Sequence, residues 1–171
     1  MTASVDPTRR FSFSSQLSAS PEEVWAHAMS IRGVNRELFP VARMTCPRDL
    51  GHDLARLPLG RRAFRSWILA AGIVPIDYDD LTLVELEPGR RFLERSSMWS
   101  QREWCHERTV EPAAGGSIVT DRVRFVPRLP VLASLFLPVF RLSFRVRHWN
   151  LRRMFAGMAV PARVASADGE R

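Results

Sequence analysis

Between residues 41 and 127 the sequence alternates strand-like runs with turn signals and has no pattern typical of a helix. Because sequential strands without intervening helices are joined by hairpins, this pattern predicts an antiparallel sheet. The composition indicates that the body of the chain is folded, since 46% of the residues are hydrophobic and 25% are charged, as in ordinary globular proteins. The strand-like runs lie at 41–46, 59–69, 81–87, 90–97, 102–111 and 117–126, and turn signals separate them at 47–51, 72–78, 88–89 and 112–116.

Two short helices are expected to precede this region. A strand at 11–17 opens the fold, because its apolar residues alternate with period two. Ser20 is suited to cap a helix that begins at Pro21, and the two glutamates that follow complement the helix dipole. Gly33 is expected to break this helix, and a second short helix is predicted through 35–39.

The last part of the chain changes period. Apolar side chains recur at helical spacing over 139–157, interleaved with arginines, so a long amphipathic helix is predicted there. Pro138 is expected to kink this helix or to mark a separate turn before it. This terminal helix is the one predicted element long enough to cover an exposed sheet face. The fold class is therefore α+β, with about seven strands.

Three segments are predicted along the chain. Residues 1–9 are expected to be a disordered lead-in, 10–158 a single domain, and 159–171 a flexible tail. The N-terminus lacks the apolar segment of a signal peptide, and no apolar run is long enough to cross a bilayer. A cytoplasmic location is therefore expected.

Charge and cysteine content argue against several functions. The chain carries a net charge of +7, but all 25 basic residues are arginine and they are scattered, which is more typical of codon bias than of a nucleic-acid interface. No nucleic-acid partner is predicted. Cys46 and Cys105 form no disulfide framework, and the four histidines have no metal-ligand spacing. Neither a metal nor another cofactor is expected.

The order of elements resembles the START-like superfamily, also called the polyketide cyclase/dehydrase or birch-pollen-allergen-like group. The residues that carry the resemblance are 20–25 at the entry to the first helix, 104–108, 115–117 and 120–123 in the last hairpin, and 140–155 in the closing helix. The resemblance implies a helix-grip fold, in which a curved antiparallel sheet holds the C-terminal helix over a hydrophobic cavity. Superfamily membership alone does not determine a function.

The hairpin formed by 102–126 has two distinct faces. One face is mainly apolar with three ionisable members, and it is expected to point inward. A turn near residues 114–115 would place Arg108 opposite Asp121 as an ion pair, with His106 one step deeper near Val123. The inward set is Trp104, His106, Arg108, Val110, Val119, Asp121, Val123 and Phe125.

This inward face supplies the candidate site. His106, Arg108 and Asp121 can hold a polar head group, and the neighbouring apolar side chains can cover an apolar body. The structural alternative is an Arg108–Asp121 pair that stabilises the core beside a buried His106. His106 is also a weak candidate for an acid or base catalyst. The predicted ligand-binding residues are Trp104, His106, Arg108, Asp121, Val123, Phe125, Trp67, Trp99 and Phe144.

Three functions stay open at this point. The first is binding or transport of a hydrophobic small molecule, lipid or polyketide-like. The second is a cyclase or aromatase that uses His106 and Arg108, with Arg108 stabilising an oxyanion. The third is a membrane- or protein-interaction module through residues 129–153, in which 129–140 forms a lid, an interface or core. Peripheral membrane contact is possible in this third case, and the chain is expected to be a monomer or a homodimer.

Overall fold

The computed structural model describes residues 7–50 and 53–156. The helices are α1 (Pro21–Ala28), α2 (Ile31–Leu38) and α3 (Ala133–Phe155). The strands are β1 (Arg9–Leu17), β2 (Ala42–Met44), β3 (Phe64–Ala70), β4 (Val74–Leu81), β5 (Leu83–Glu87), β6 (Arg91–Met98), β7 (Gln101–Ala113) and β8 (Gly116–Pro127). The predicted tail, His52 and most of the predicted lead-in lie outside the described residues.

All strands pair in one antiparallel sheet, which confirms the predicted α+β helix-grip architecture. Seven strands follow one another in the order β1-β8-β7-β6-β4-β3-β2, and β5 pairs with β6 beside this path. The prediction of a turn over 72–78 was wrong, because most of that range belongs to β4. Ala71 and Gly72 have positive φ, so the chain reverses within a tight turn and pairs again from Val74.

The entry helices begin as the capping residues require. The side chain of Ser20 accepts a hydrogen bond from the Glu23 amide, and the Glu23 carboxylate accepts one from the Ser20 amide. α2 begins at Ile31, earlier than predicted, because Ser30 caps it through the Gly33 amide. A β-carbon at Gly33 would lie 2.0 Å from the His27 carbonyl oxygen, so glycine allows α1 and α2 to pack closely.

The terminal helix is longer than predicted. A turn of 3-10 helix at Pro130–Leu132 precedes it, and the α-helix then runs through Pro138, whose side chain is exposed. Strand β3 begins later than predicted, at Phe64, because residues 59–63 form an irregular segment.

Two apolar clusters fill the space between the sheet and α3. The first contains Leu17, Trp25, Leu83, Phe92 and Leu151, and the second contains Met98, Trp104, Val123, Phe125 and Phe144. Polar side chains lie between these clusters, and they form the site described below. None of the helices within the described ranges is long and apolar enough to cross a membrane.

Candidate functional site

The hairpin of β7 and β8 has the predicted register. Arg108 lies opposite Asp121, and His106 lies opposite Val123. All eight side chains of the predicted inward set are buried, whereas Glu103 on the other face is exposed. The alternation of apolar and charged residues therefore identified the inner face correctly.

Arg108 bridges two buried carboxylates. Its Nε and Nη2 each donate a hydrogen bond of 2.8 Å to Asp121, one to each oxygen. Its Nη1 and Nη2 donate bonds of 2.8 Å to the two oxygens of Glu37. Four hydrogen bonds leave little donor capacity on this guanidinium, and its side chain is 1% exposed. The geometry favours the structural role for Arg108 over direct contact with a ligand.

Helix α3 adds two side chains to this network. Arg147 donates to Glu37 Oε2 through Nε at 3.0 Å and Nη2 at 2.8 Å. His148 Nε2 lies 3.0 Å from Asp121 Oδ2, and its Nδ1 lies 2.8 Å from the hydroxyl of Ser15. The network therefore joins α2, α3 and the strands β1, β7 and β8 through hydrogen bonds within the interior.

The electrostatics of the network follow from close pairing inside a dry core. Burial alone would raise the pKa of Glu37, but the charges of Arg108 and Arg147 outweigh it and lower that pKa. Burial would likewise raise the pKa of Asp121, but Arg108 holds it well below its usual range. Both carboxyl groups are consequently ionised.

His106 lies between two carboxylates. Its Nε2 is 2.8 Å from Asp121 Oδ1, and its Nδ1 is 3.6 Å from Glu94 Oε2, an ion-pair distance rather than a hydrogen bond. Burial would lower the pKa of His106, but the hydrogen bond to Asp121 and the nearby Glu94 together raise it. The raised pKa favours an imidazolium at His106, which would join the two arginines in balancing the charges of Glu37, Glu94 and Asp121.

A second carboxyl pair extends the network into β4 and β6. Burial raises the pKa of Asp79 well above its ordinary value, and the negative charge of Glu94 raises it further. Burial also opposes ionisation of Glu94, but the hydrogen bond and charge of His106 outweigh it and lower that pKa. Ser96 donates a hydrogen bond of 2.7 Å to Glu94. Burial and charge thus favour a proton on Asp79 and disfavour one on Glu94.

A small cavity borders this network between the sheet and the helices. Its volume is about 60 Å³, and three charged side chains, Glu94, His106 and Arg147, line one side of it. The apolar lining is Ala28, Met29, Ile31, Val34, Met44, Leu54, Leu81, Leu83 and Phe92. An apolar cavity with a few convergent polar groups is the arrangement typical of a small-molecule site.

A larger surface groove lies next to the cavity. The groove has a volume of about 630 Å³ and lies between α2 and β2, with Arg32, Arg36 and Arg43 among its lining residues. Ile31 and Met44 line both the groove and the cavity. The amide group of Asn35 bonds to the backbone N–H and carbonyl of Met44, at 2.7 and 2.9 Å, and so fastens α2 to this edge strand.

Most of the predicted ligand-binding residues lie away from the cavity. His106 lines it, whereas Trp104, Val123, Phe125 and Phe144 belong to the second apolar cluster. Trp104 packs against Phe140 with ring centroids 5.0 Å apart. Asp121 is held behind His106 by the hydrogen bonds described above.

The two tryptophans predicted to line the cavity are exposed instead. Trp67 follows the buried Ser66 in β3, so it lies on the outer face of the sheet, where it packs against Tyr78 at 5.8 Å. Trp99 lies in the turn between β6 and β7 and is 65% exposed. Neither prediction of a cavity-lining side chain is supported, because strand alternation and the turn direct these rings outward.

The segment 129–140, for which the sequence leaves a lid, an interface or core open, has a buried side and an exposed side. Phe136, Leu137 and Phe140 pack on the second apolar cluster and so form part of the core. Leu129, Val131 and Leu135 are exposed. The segment therefore covers one end of the domain with its inner side and presents apolar side chains with its outer side.

Several residues of the network, Glu37, Glu94, Arg147 and His148 among them, are not among the site residues predicted from the sequence. Glu37, Glu94 and Arg147 are single charged residues in amphipathic elements, where a solvent-exposed position is usual. The sequence tests His148 only for metal-ligand spacing, which it lacks. A usable signal was present in α3, where Arg147 and His148 lie four and three residues before the buried Leu151, on the inner face of the helix.

Several solved structures share the architecture of this chain. The Zhui aromatase/cyclase from Streptomyces sp. R1128 is 14% identical, with a TM-score of 0.65 over 95% of this chain and 99% of that one. Protein CV1439 from Chromobacterium violaceum is 16% identical, with a TM-score of 0.64 over 85% and 96%. Ara h 8.0201 is 11% identical, with a TM-score of 0.58 over 87% and 98%.

These likenesses establish the fold alone, which is the helix-grip fold of the START-like superfamily. Residues 15–155 match the model of a family described as "Domain of unknown function (DUF8410)", and the chain belongs to that family. A comparison with curated protein sequences finds no significant match.

Proposed function

We propose that this protein binds a hydrophobic small molecule, lipid or polyketide-like, in the cavity beside His106. The observation that supports the proposal is the apolar cavity whose one charged wall consists of Glu94, His106 and Arg147. The proposal includes a cytoplasmic location and needs neither a cofactor nor a nucleic-acid partner.

The volume of the cavity sets a condition on binding. A volume of about 60 Å³ is far below the roughly 300–1,000 Å³ that ligand sites usually measure. Ile31 and Met44 separate the cavity from the groove of about 630 Å³. We infer that a ligand enters between α2 and β2, displaces the unbranched Met44 side chain, and occupies both spaces.

The charged wall suggests how the ligand is oriented. The Nδ1–H of the His106 imidazolium has its nearest carboxylate oxygen at 3.6 Å, so a ligand carbonyl or hydroxyl can accept a shorter bond from it. The arginines of the groove suit a carboxylate or another anionic end of the same molecule. The apolar body would then lie against the leucines of the cavity.

A cyclase or aromatase is the second candidate function. His106 faces the cavity, as that reaction would require, but Arg108 is engaged by Glu37 and Asp121 behind it. Stabilisation of an oxyanion would therefore fall to His106 or Arg147 rather than to Arg108. This rearrangement of roles makes binding without catalysis the better-supported proposal.

Shortening Met44 is expected to strengthen binding of an apolar anionic probe. The Met44→Ala variant joins the cavity to the groove, so we expect it to bind 1-anilinonaphthalene-8-sulfonate about five- to tenfold more tightly than the unmodified chain. Val34→Phe fills the cavity from its lining and should weaken binding by a similar factor. Fluorescence titration of the folded variants measures both effects.

Met98→Ala is the matched control, because it removes the same atoms from the second apolar cluster, which does not line the cavity. Its affinity for the probe should equal that of the unmodified chain. If Met44→Ala and Met98→Ala raise the affinity for the probe equally, the gain comes from weaker packing of the whole core. That result would contradict the proposal. Native mass spectrometry of the unmodified chain, purified under mild conditions, would identify a natural ligand that is retained.

A further inference from the structure

The outer face of α3 carries an apolar stripe with helical spacing. The stripe consists of Leu135, Val139, Leu142, Val146 and Trp149, which follow one another at steps of four and three residues. Such steps place all five on one side of a helix. Leu135, Val139, Leu142 and Trp149 are 60%, 50%, 54% and 47% exposed, so this side faces away from the protein.

The apolar stripe continues into the segment before the helix. Leu129 is 60% exposed and Val131 is 87% exposed. Single exposed apolar residues are common on proteins, but a row that runs along a helix and its preceding turn marks an interaction surface. The opposite side of α3 is buried through Phe144, Arg147 and Leu151.

Charge distinguishes between the possible occupants of this face. Helix α3 contains five arginines and no aspartate or glutamate. Arg141 and Arg145 are exposed beside the stripe, and Arg153 lies over the ring of Trp149 at 4.5 Å. A second copy of the chain, packed stripe to stripe, would bring like charges together without acidic residues from either helix to compensate.

We propose that the apolar stripe and its flanking arginines dock on the surface of an anionic lipid bilayer. An amphipathic helix with an apolar face and arginine at its margins lies in the plane of the headgroups, with its apolar side chains at the acyl boundary. Arginine can keep its charge at the phosphates while its aliphatic stem covers apolar surface. The proposal rests on the surface of α3 and is independent of the ligand cavity.

Removing two flanking charges tests the electrostatic part of the proposal. The full chain is mixed with vesicles of phosphatidylcholine alone or of phosphatidylcholine and phosphatidylglycerol at 3:1, and binding is measured by co-sedimentation. Binding to the anionic vesicles is expected to exceed binding to neutral ones. Because each surface arginine contributes about fivefold, Arg141→Gln/Arg145→Gln should weaken binding about 20-fold.

A second double variant controls for net charge. Arg61 and Arg90 are exposed and lie outside α3. Arg61→Gln/Arg90→Gln removes the same net charge, and it should retain the affinity within about threefold because these residues stay away from the headgroups. Equal losses in the two double variants would overturn the proposal, since they would indicate a nonspecific response to charge.

A matched pair of leucines tests the apolar part. Leu142→Gln removes apolar surface from the stripe, whereas Leu59→Gln removes a residue of similar exposure, 50%, from another part of the chain. We expect Leu142→Gln to lower the affinity for anionic vesicles about fivefold and Leu59→Gln to leave it unchanged. Failure of the unmodified chain to bind anionic vesicles would overturn the proposal. A sedimentation-velocity dimer that Leu142→Gln dissociates would also overturn it, in favour of pairing between two copies.

Discussion

Replacing Glu37 with glutamine is expected to lower the free energy of unfolding by about 3–5 kcal/mol, a large part of the stability of a domain of this size. Glu37 is completely buried and accepts hydrogen bonds from both Arg108 and Arg147. Glutamine keeps the shape but has one acceptor oxygen and no charge. Arg108 then keeps its bonds to Asp121, whereas Arg147 has no other carboxylate partner among the residues that the structure describes, so a buried positive charge is left without compensation. Urea unfolding at pH 7 measures the loss.

Glu107→Gln provides the control for this substitution. Glu107 also accepts hydrogen bonds from two arginines, Arg91 at 2.6 Å and Arg122 at 3.2 Å, but it lies at the sheet surface with its side chain 23% exposed. Water can solvate the groups that lose a partner there, so the expected loss is about 0–1 kcal/mol. If the free energy of unfolding of Glu37→Gln lies within 1 kcal/mol of that of the unmodified chain, the buried network contributes little more to stability than this surface cluster.

The buried network also connects stability to the proposed site. Arg147 bonds to Glu37 on one side and lines the cavity on the other. Its position is therefore set by α2 as well as by its own helix. A ligand that enters between α2 and β2 must leave this pairing intact, because separating the charges inside the core would cost several kcal/mol.

The sequence predicted the fold well where its patterns are local. Period-two alternation identified the inner face of β7 and β8, and the turn near residues 114–115 fixed the register that pairs Arg108 with Asp121. The missed strand β4 shows the limit of this reasoning. Its sequence contains three aspartates and a proline, which are rare in strands, and burial of Asp77 and Asp79 overrides that preference.

The site was predicted only in part, because its members come from distant elements. Glu37 lies 71 residues from Arg108 and 110 from Arg147 along the chain. No local pattern distinguishes such a buried glutamate from one on the exposed face of a short helix. Packing decided which predicted residues reach the cavity, since Phe140 and Phe144 fill the space around Trp104. His106 was found because its hairpin could be aligned from sequence alone.

Replacing Asp79 with asparagine is expected to stabilise the protein at pH 7, by about 1–3 kcal/mol. Asp79 is 3% exposed and lies against the ionised Glu94, and both its burial and that charge raise its pKa. Folding therefore makes a carboxyl group take up or retain a proton that it would lose in the unfolded chain at this pH. Asparagine is neutral in both states, and its amide group can donate to Glu94 as the protonated carboxyl group does.

The pH dependence provides the decisive measurement for this substitution. Folding raises the pKa of Asp79 above its unfolded value of 3.8. The contribution of Asp79 to the free energy of unfolding is therefore most favourable below pH 3.8, and it declines as the pH rises toward the folded pKa. The advantage of Asp79→Asn should thus be small near pH 3.5 and grow towards neutrality. Asp80→Asn is the matched control. The Asp80 carboxylate accepts a hydrogen bond of 2.8 Å from Arg65, which lowers its pKa. Removing this charge should lower the free energy of unfolding by up to about 1 kcal/mol at pH 7. An Asp79→Asn variant that is destabilised to the same extent at pH 7 would mean that Asp79 is ionised, and that Glu94 holds the shared proton instead.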